Sequence, residues 1–416
     1  MSKFDNSRTI SYAFEVGRRG KPDELDSNLA TLIGAAFLRL EPAARFDLRV
    51  HGTSRRGIPT ALVSGEASSS LAHDSSLIRQ VVTQHYQDVH RHHSREVAVQ
   101  IDLRPQATVL AKNGNAGDSG NPIAVAYANT PNHLPLERVL AVEIRDALDA
   151  IYQSGGSIPS HLAPYTDNLR LEGLRPDGKV SVRVFYDAVT GAVLSLGNIV
   201  IAVEHEPSLS LQELQNGVSK VVGGVLRRAD NRHLLYTPDA NEHQTSISVP
   251  QLPYMIIING NGEWHQGGWR IDEGSREAKA YRDGFGPYGC LEDSIAGEDP
   301  SKPSGTGTFL ARHLAVQLVT DQQELDALPF ARVELEYVIG REHPTAYVQA
   351  LHANDLGRAH EALQRTVSRV GSLSIHATID RFRLRDPELY NRIARSSDFF
   401  YDKELPWNAV IRDNKV

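Results

Sequence analysis

The chain alternates pairs of strand-like segments with helix-like segments, and this order limits the folds open to it. Alternating apolar and polar residues occur in two close pairs of segments, 180–186 with 198–203 and 333–339 with 345–351. Each pair is typical of two antiparallel strands joined by a turn. Because helical patterns lie before or after these pairs, the sequence predicts α+β layers, in which helices cover the sheets, and not a doubly wound parallel sheet.

Apolar stripes with helical spacing accompany the strand pairs. They run through residues 136–151, 211–226, 309–318 and 359–370. The first stripe ends before Gly155 and Gly156, where glycine commonly closes a helix. The second begins after Ser210, which has capping-box spacing to Glu213. Each stripe therefore predicts a helix. In contrast, Asn259-Gly260 follows an apolar segment and has the ordinary signature of a hairpin turn.

The length of 416 residues predicts two or three packed units, since single cores rarely grow far past about 250 residues. Polar, Gly-rich residues 112–120 and polar residues 238–251 are the expected boundaries, because few contacts cross such stretches. The predicted domains are therefore an N-terminal domain (1–112), a central domain (113–252) and a C-terminal domain (253–416).

Charge and composition exclude several classes of partner. The net charge of −7 is spread along the chain, and no lysine-rich stretch alternates with aromatic residues, so nucleic acid is not an expected partner. A single cysteine, Cys290, allows no intrachain disulfide and no cysteine-based zinc site. The first residues lack the apolar core of a signal peptide, and the apolar runs are too short to span a bilayer. We expect a cytoplasmic protein without a membrane partner.

Short polar motifs interrupt the periodic pattern along nearly the whole chain. They are GKPDE at 20–24 with Glu15 upstream, SGEAS at 64–68, Gln106, GDSG at 117–120, LRPDGK at 174–179, VEHE at 203–206, the run 262–286, GEDPSK at 297–302 and EYVIG at 336–340. As an ordered set, these motifs resemble those of the S-adenosylmethionine synthetase (methionine adenosyltransferase) family. LRPDGK followed by a Val-rich strand is the least ambiguous of them.

The resemblance implies both a fold and a reaction. The fold would be α+β, with three similar two-layer domains, each a mixed sheet covered by helices, in a pseudo-threefold arrangement. The reaction would be ATP-dependent transfer of the 5′-adenosyl group to the sulfur of L-methionine, giving S-adenosylmethionine and releasing the triphosphate chain. ATP and L-methionine, or a related amino-acid acceptor, would be the substrates and Mg²⁺ the cofactor. A homodimer or dimer of dimers would hold the active site at its interface.

The resemblance also assigns residues by motif position. The catalytic residues on the triphosphate would be Lys21, Lys179, Lys279 and Lys302. ATP would be bound by Asp177, Lys179, Trp264, Asp272, Lys279 and Ile339. Methionine would be bound by Glu66, Gln106, Asp118, Asp272 and Lys302. The metal would be held by Asp23 and Glu15. These residue types suit the chemistry, because lysines neutralise a polyanion, an aromatic face stacks on a purine, and carboxylates hold an ammonium group or a divalent cation.

The phosphate side departs from the family pattern. The departures are Lys21 for His, Glu24 for Lys, Ala278 for Arg, Glu298 for Lys and Ser304 for a metal-binding Asp. A carboxylate about 4 Å from a phosphate charge costs about 4 kcal/mol at an effective dielectric constant near 20. Arg49 lies near the position of the family's potassium-binding Glu, which makes a potassium requirement doubtful.

Simpler roles stay open for several of these residues. The lysines could be solvated surface groups, Trp264 a core aromatic, and Asp23 a carboxylate at a helix N-terminus. Glu66, Asp118 and Asp272 could cap loops. Two other functions also stay open: adenosyl transfer involving a different nucleophile or nucleotide in a specialised pathway, and a non-catalytic homologue that acts as a binding subunit.

Overall fold

The computed structural model of the chain describes most of its length. The described residues are 9–91, 96–106, 116–128, 130, 132–167, 169–188, 191–231, 236–238, 244–246, 255–275, 279–320, 328–349 and 356–411. They fall into two compact units: unit 1 comprises Met1–Lys21 and Pro135–Ile271, and unit 2 comprises Pro22–Leu134 and Asp272–Val416. Much of the two predicted boundary segments, residues 112–115, 239–243 and 247–251, lies outside the described residues.

Twelve strands and ten helices are defined in the described part of the chain. The strands are β1 (Thr9–Gly17), β2 (Phe46–Arg55), β3 (Ile58–Ala67), β4 (Ala98–Pro105), β5 (Ile123–Tyr127), β6 (Leu174–Asp187), β7 (Val193–His205), β8 (Tyr236–Pro238), β9 (Gln244–Ser246), β10 (Ile256–Ile258), β11 (Phe330–Glu336) and β12 (Thr345–Gln349). The helices are α1 (Pro22–Leu40), α2 (Ser69–Ala72), α3 (Ser75–His90), α4 (Leu136–Gln153), α5 (Leu211–Asn231), α6 (Ala280–Asp283), α7 (Pro303–Val319), α8 (Leu356–Val370), α9 (Ile375–Phe382) and α10 (Pro387–Ser396).

Unit 1 is built on a mixed sheet with the strand order β1-β6-β7-β10. β1 and β7 are antiparallel to β6, and the short strand β10 runs parallel to β7. Helix α4 packs on β1 and β6, and α5 packs beside α4 and β10. Val180, Val182 and Val184 alternate along β6 and are fully buried, whereas Lys179, just before them, and Arg183 are exposed.

Unit 2 contains two further three-stranded sheets. In the first sheet, β3 lies between antiparallel β2 and parallel β4, and α1 packs against β2 and α3. In the second sheet, β11 lies between β5 and β12 and is antiparallel to both. Helix α7 packs on β5 and β11 and is buried along almost its whole length. The two remaining strands, β8 and β9, form an antiparallel two-stranded ribbon that belongs to unit 1.

The prediction of α+β layers is confirmed, together with the four helices and both antiparallel strand pairs. The capping box forms as expected, because Ser210 Oγ contacts the Glu213 carboxylate at 2.6 Å and the Glu213 carboxylate accepts from the Ser210 amide at 3.1 Å. Gly155 and Gly156 end α4 with positive φ angles of 69° and 105°.

Two strands join sheets that are formed mainly by distant parts of the sequence. β1 pairs with β6 of the predicted central domain, and β5 pairs with β11 of the predicted C-terminal domain. The boundaries at 112/113 and 252/253 therefore stay a prediction about sequence segments. The hairpin predicted at Asn259 is wrong, because the preceding strand β10 runs parallel to β7; a turn does form, with the Gly262 amide donating to Asn259 O at 2.8 Å.

No helix in the described ranges combines the length and apolar composition needed to cross a membrane.

Candidate functional site

The predicted site residues divide between the two units. Unit 1 carries Glu15, Lys21, Asp177, Lys179 and Trp264. Unit 2 carries Asp23, Glu66, Gln106, Asp118, Asp272, Lys279, Lys302 and Ile339.

Two buried carboxylates in unit 1 hold the backbone that follows Trp264. Asp177 in β6 is 3% exposed and accepts the amides of Gly178 and Gly268 at 2.6 and 2.7 Å. Glu204 in β7 accepts the amide of Gly267 at 3.0 Å. Burial raises the pKa of Asp177 to about 6. Burial, together with the neighbouring charge of Asp177, raises the pKa of Glu204 to about 7. Both groups therefore titrate close to neutral pH.

Trp264 is fixed on the end of β7. Its carbonyl accepts the His205 amide at 2.9 Å, its own amide donates to His205 Nε2 at 3.3 Å, and its indole N–H donates to Gln266 O at 2.5 Å. Upstream, the Asn259 side chain bonds both the amide and the carbonyl of Val203, at 2.8 and 2.9 Å. The half-buried indole is therefore held in one position, as a stacking surface requires.

The two predicted catalytic lysines of unit 1 lie beside the same motif. The Gly20 amide donates to Pro176 O at 3.1 Å, and a Cβ on Gly20 would lie 2.6 Å from Pro176 Cβ. This close backbone approach brings Lys21 near Asp177, whose raised pKa the lysine charge partly offsets. Lys179, 45% exposed, forms an ion pair with Glu15 at 3.2 Å. Unit 1 thus groups Lys21, Lys179, Glu15 and Asp177 at one end of β1 and β6.

The first sheet of unit 2 gathers the predicted methionine ligands at one end of its strands. Gln106 Nε2 donates to Glu66 Oε1 at 3.4 Å, and Asp47 lies opposite Glu66 in the β2–β3 pairing. Lys302 Nζ binds Asp47 Oδ2 at 3.0 Å. Burial alone would lower the pKa of Lys302, but the carboxylates of Asp47 and Glu298 outweigh it and raise the pKa. Lys302 is therefore an ammonium ion at neutral pH.

A short loop brings two further predicted residues to this end of the sheet. The charge of Asp118 contributes to the raised pKa of Lys302, which places the two groups near each other. The neighbouring Ser119 Oγ accepts the Ile339 amide at 2.9 Å, and Gly120 forms a backbone bridge with Tyr337. Unit 2 therefore groups Glu66, Gln106, Asp118, Lys302 and Ile339.

A second cluster in unit 2 lies at the N-terminus of α1. Lys279, 2% exposed, forms ion pairs with Glu24 at 2.6 Å and with Asp283 at 2.9 Å. Burial opposes its charge, but these two carboxylates raise its pKa. Asp23, in the first turn of α1, binds Arg282 at 3.2 Å and accepts the Ser275 amide at 3.2 Å. Sequence reading assigned Lys279 to the triphosphate, but in this structure its ammonium is held between two acids of the same chain.

Asp272 is not brought to the Glu66 group. It is exposed and accepts the Glu273 amide at 2.9 Å, while the Gly274 amide donates to Gly52 O at 2.9 Å. Gly52 and Asp47 are five residues apart on β2, a separation of about 16 Å along a strand. The segment that follows Asp272 therefore lies at the opposite end of β2 from the predicted methionine ligands.

Two of the substituted phosphate-side residues contact each other. The Ser304 hydroxyl donates to the Glu298 carboxylate, so the serine that replaces a metal-binding Asp is hydrogen-bonded to the glutamate that replaces a Lys. Ala278, another of the five substitutions, lies outside the described residues. Arg49, near the potassium position, is exposed on β2.

The residues expected to hold magnesium do not fit a metal site. Asp23 is bound by a guanidinium and Glu15 by an ammonium. Among the residues with described positions, no group of three or more His, Cys, Asp or Glu side chains is arranged to hold a metal ion. Mg²⁺ sites in nucleotide enzymes use one or two protein carboxylates with substrate phosphates, and both candidate carboxylates here already carry a protein cation.

The described chain is an α+β protein in which polar side chains gather at strand ends in each unit. Comparison with known families is specific. The S-adenosylmethionine synthetase central-domain model matches residues 113–242, and the S-adenosylmethionine synthetase C-terminal-domain model matches residues 266–409. The chain therefore belongs to the S-adenosylmethionine synthetase family.

Its curated relatives are distant. The S-adenosylmethionine synthase of Granulibacter bethesdensis is 24% identical over 399 residues, which cover 92% of this chain and 91% of that protein. The synthase of Kosmotoga olearia is 25% identical over 303 residues, 71% of this chain and 65% of that protein. That of Corynebacterium efficiens is 28% identical over 305 residues, 72% of this chain and 66% of that protein. The chain is a divergent member of the family.

Sequence reading missed several residues that shape both groups. Glu204 holds the Trp264 segment, Asp47 pairs with Lys302, and Arg282 pairs with Asp23. Glu204 carried a signal, since it stands in the VEHE motif at the end of a strand. No sequence signal points to Asp47 or Arg282, because their partners are more than 250 residues away in sequence.

Proposed function

We propose that this chain transfers the 5′-adenosyl group of ATP to the sulfur of L-methionine. The observation that carries the proposal is the meeting of Glu66, Gln106, Asp118 and Lys302 at one end of the first sheet of unit 2. A zwitterionic amino acid needs an acidic group for its ammonium and a cation for its carboxylate, and this group of side chains offers both.

The reaction makes modest demands on the side chains. A lone pair of the methionine sulfur forms the S–C5′ bond while the C5′–O5′ bond breaks, and the bonding electrons leave on the triphosphate oxygen. The sulfur carries no proton, so it becomes a sulfonium ion without a general base. The protein must align sulfur, C5′ and the leaving oxygen, and must offset the charge of the departing anion.

The chain's residues supply these functions separately. Glu66 and Gln106 bind the amino-acid ammonium, and Trp264 stacks on the adenine ring. Lys21 and Lys179 are the lysines of unit 1 that offset triphosphate charge. Lys179 is exposed, and its ammonium group has three N–H donors, so it keeps its ion pair with Glu15 while it contacts phosphate oxygens. The adenine and amino-acid roles rest on groups whose positions are already fixed by hydrogen bonds.

Purified full-length protein, incubated with ATP, methionine and magnesium, tests the proposal by mass spectrometry of S-adenosylmethionine. Glu66→Gln is expected to raise KM for methionine about tenfold to a hundredfold, since a charged hydrogen bond contributes about 1.5–3 kcal/mol. Asp88→Asn, which changes an exposed acid on α3, is the matched control and is expected to leave KM unchanged. Absence of S-adenosylmethionine at high protein concentration, with ATP and methionine saturating, would exclude the proposal.

A second candidate, adenosyl transfer involving another donor or acceptor, is favoured by the anionic character of the phosphate side. Glu298 is held by Ser304, and Lys279 is held by Glu24 and Asp283. A shorter phosphate chain would meet less repulsion there. Product formation from ADP that exceeds that from ATP, or a preferred acceptor other than methionine in a screen of thioethers, would favour this candidate. A chain that binds ATP and methionine in calorimetry without product would instead be a binding subunit.

A further inference from the structure

The acidic residues at the N-terminus of α1 are each engaged by a partner within the chain. Both oxygens of Asp23 are used, one by the Arg282 guanidinium and the other by the Ser275 amide, each at 3.2 Å. The next residue, Glu24, binds the ammonium of Lys279 at 2.6 Å. Asp26, one turn further on, accepts the Gly52 amide at 2.8 Å.

The two cations of this cluster, Lys279 and Arg282, are held in place by ion pairs. Lys279 is 2% exposed and lies between Glu24 and Asp283, and its raised pKa keeps it charged. Arg282 lies on the short helix α6, three residues after Lys279, with a side chain 17% exposed. A guanidinium stays protonated at any physiological pH. A divalent cation at Asp23 would therefore displace one positive group and sit beside a second.

We propose that Arg282 takes at Asp23 the place that Mg²⁺ is expected to take in this family, so that Asp23 binds no divalent cation in this chain. The same exchange is seen at Glu15, the other expected metal ligand, which pairs with Lys179 at 3.2 Å. At Ser304 the expected metal-binding carboxylate is missing altogether. At each of these three positions, the expected metal-binding carboxylate is either paired with a protein cation or absent.

This inference goes beyond the proposed function, and it is tested without nucleotide. Mn²⁺, which is visible by electron paramagnetic resonance and prefers the same oxygen ligands as Mg²⁺, is titrated into full-length protein. Wild type and Asp23→Asn are expected to bind the same number of Mn²⁺ ions with the same affinity. Arg282→Gln is expected to gain one site, at least about tenfold tighter than the background sites, because one positive charge next to the carboxylate is removed.

The gained site should disappear in the double variant Arg282→Gln/Asp23→Asn. Arg282→Lys, which keeps the charge, is the matched control and should bind Mn²⁺ as the wild type does. Loss of a Mn²⁺ site from the wild type on Asp23→Asn would overturn the proposal, and so would an Arg282→Gln variant that folds and gains no site. If Arg282→Gln does not fold, the comparison of wild type with Asp23→Asn still decides. Since no nucleotide is present, failure of adenosyl transfer would leave this result unaffected.

Discussion

Replacing Lys279 by Met should strongly lower the thermal stability of unit 2. Lys279, Glu24 and Asp283 have side chains only 2%, 3% and 4% exposed, so the ion pairs are shielded from water. The substitution keeps most of the side-chain volume and removes the charge, which leaves two buried carboxylates without their cation. Breaking a buried ion pair from one side typically costs about 3–5 kcal/mol.

Thermal unfolding followed by calorimetry gives the measurement. For a unit of roughly 250 residues, 1 kcal/mol moves Tm by about 2–4 °C, so the expected decrease is roughly 6–20 °C. The matched control is Lys302→Met, because the ion pair of Lys302 with Asp47 is less shielded, with a lysine side chain that is 20% exposed. That control should lose no more than about 1–2 kcal/mol. A triple variant with Glu24→Gln and Asp283→Asn added should recover much of the lost stability, since it leaves no unpaired charge.

The refuting result is a Lys279→Met variant with the wild-type Tm. If that variant also lost product formation, Lys279 would serve the triphosphate, as its motif position predicts, and the ion pairs would contribute little to the fold. If it lost stability while the surviving folded fraction kept its KM for ATP, the ammonium would serve the fold alone. The same two measurements thus separate the motif-based role from the structural one.

Other predictions concern single groups. Trp264→Ala should raise Kd for ATP about tenfold in calorimetric titration, and Trp264→Phe should not, because the aromatic face is kept. Glu204 has a folded pKa raised from 4.5 to about 7, so its contribution to stability is complete below pH 4.5 and is lost as pH rises through 7; Glu204→Gln should flatten this part of the curve of Tm against pH. Burial, then the charge of Arg381, lowers the pKa of His313 from 6.5 to about 4, so stability present above pH 6.5 falls by about 3 kcal/mol as pH drops toward 4. His313→Gln should remove this acid sensitivity in the same measurement; an unchanged pH curve for either variant would contradict the assigned cause.

Local patterns allowed much of the fold to be predicted. The stripe that ends at Gly155 and the capping box at Ser210 depend on contacts within a few residues, and both form as expected. Sheet membership depends on pairing between distant segments, which periodicity does not record. β1 thus joins β6 across more than 150 residues, and the Asn259 turn follows a parallel strand that no hairpin rule describes.

Motif order predicts one set of methionine ligands, but it shows neither the separation of Asp272 from Glu66 nor the counter-charges of the predicted residues. Glu66, Gln106 and Lys302 meet as their motif positions imply, because strand ends and the start of α7 fix them. Charge partners are a different matter, since an ion pair such as Asp23 with Arg282 joins two segments that are unrelated in sequence. The sequence motifs therefore predict a phosphate contact for each of these lysines, because they do not show the carboxylates that pair with them.

The substitutions on the phosphate side are coupled, and this changes what they mean. Glu24, in place of Lys, is neutralised by Lys279, and Glu298, in place of Lys, accepts a hydrogen bond from Ser304. Returning Glu24 alone to Lys would put two ammonium groups in the space of one ion pair, a repulsion of about 4 kcal/mol at 4 Å and an effective dielectric constant near 20. The charge pattern of the family can therefore be restored only by substituting both members of such a pair together. Because an unpaired buried charge destabilises any folded chain, the pairing of Glu24 with Lys279 is required for unit 2 to stay folded, whatever anion the chain binds.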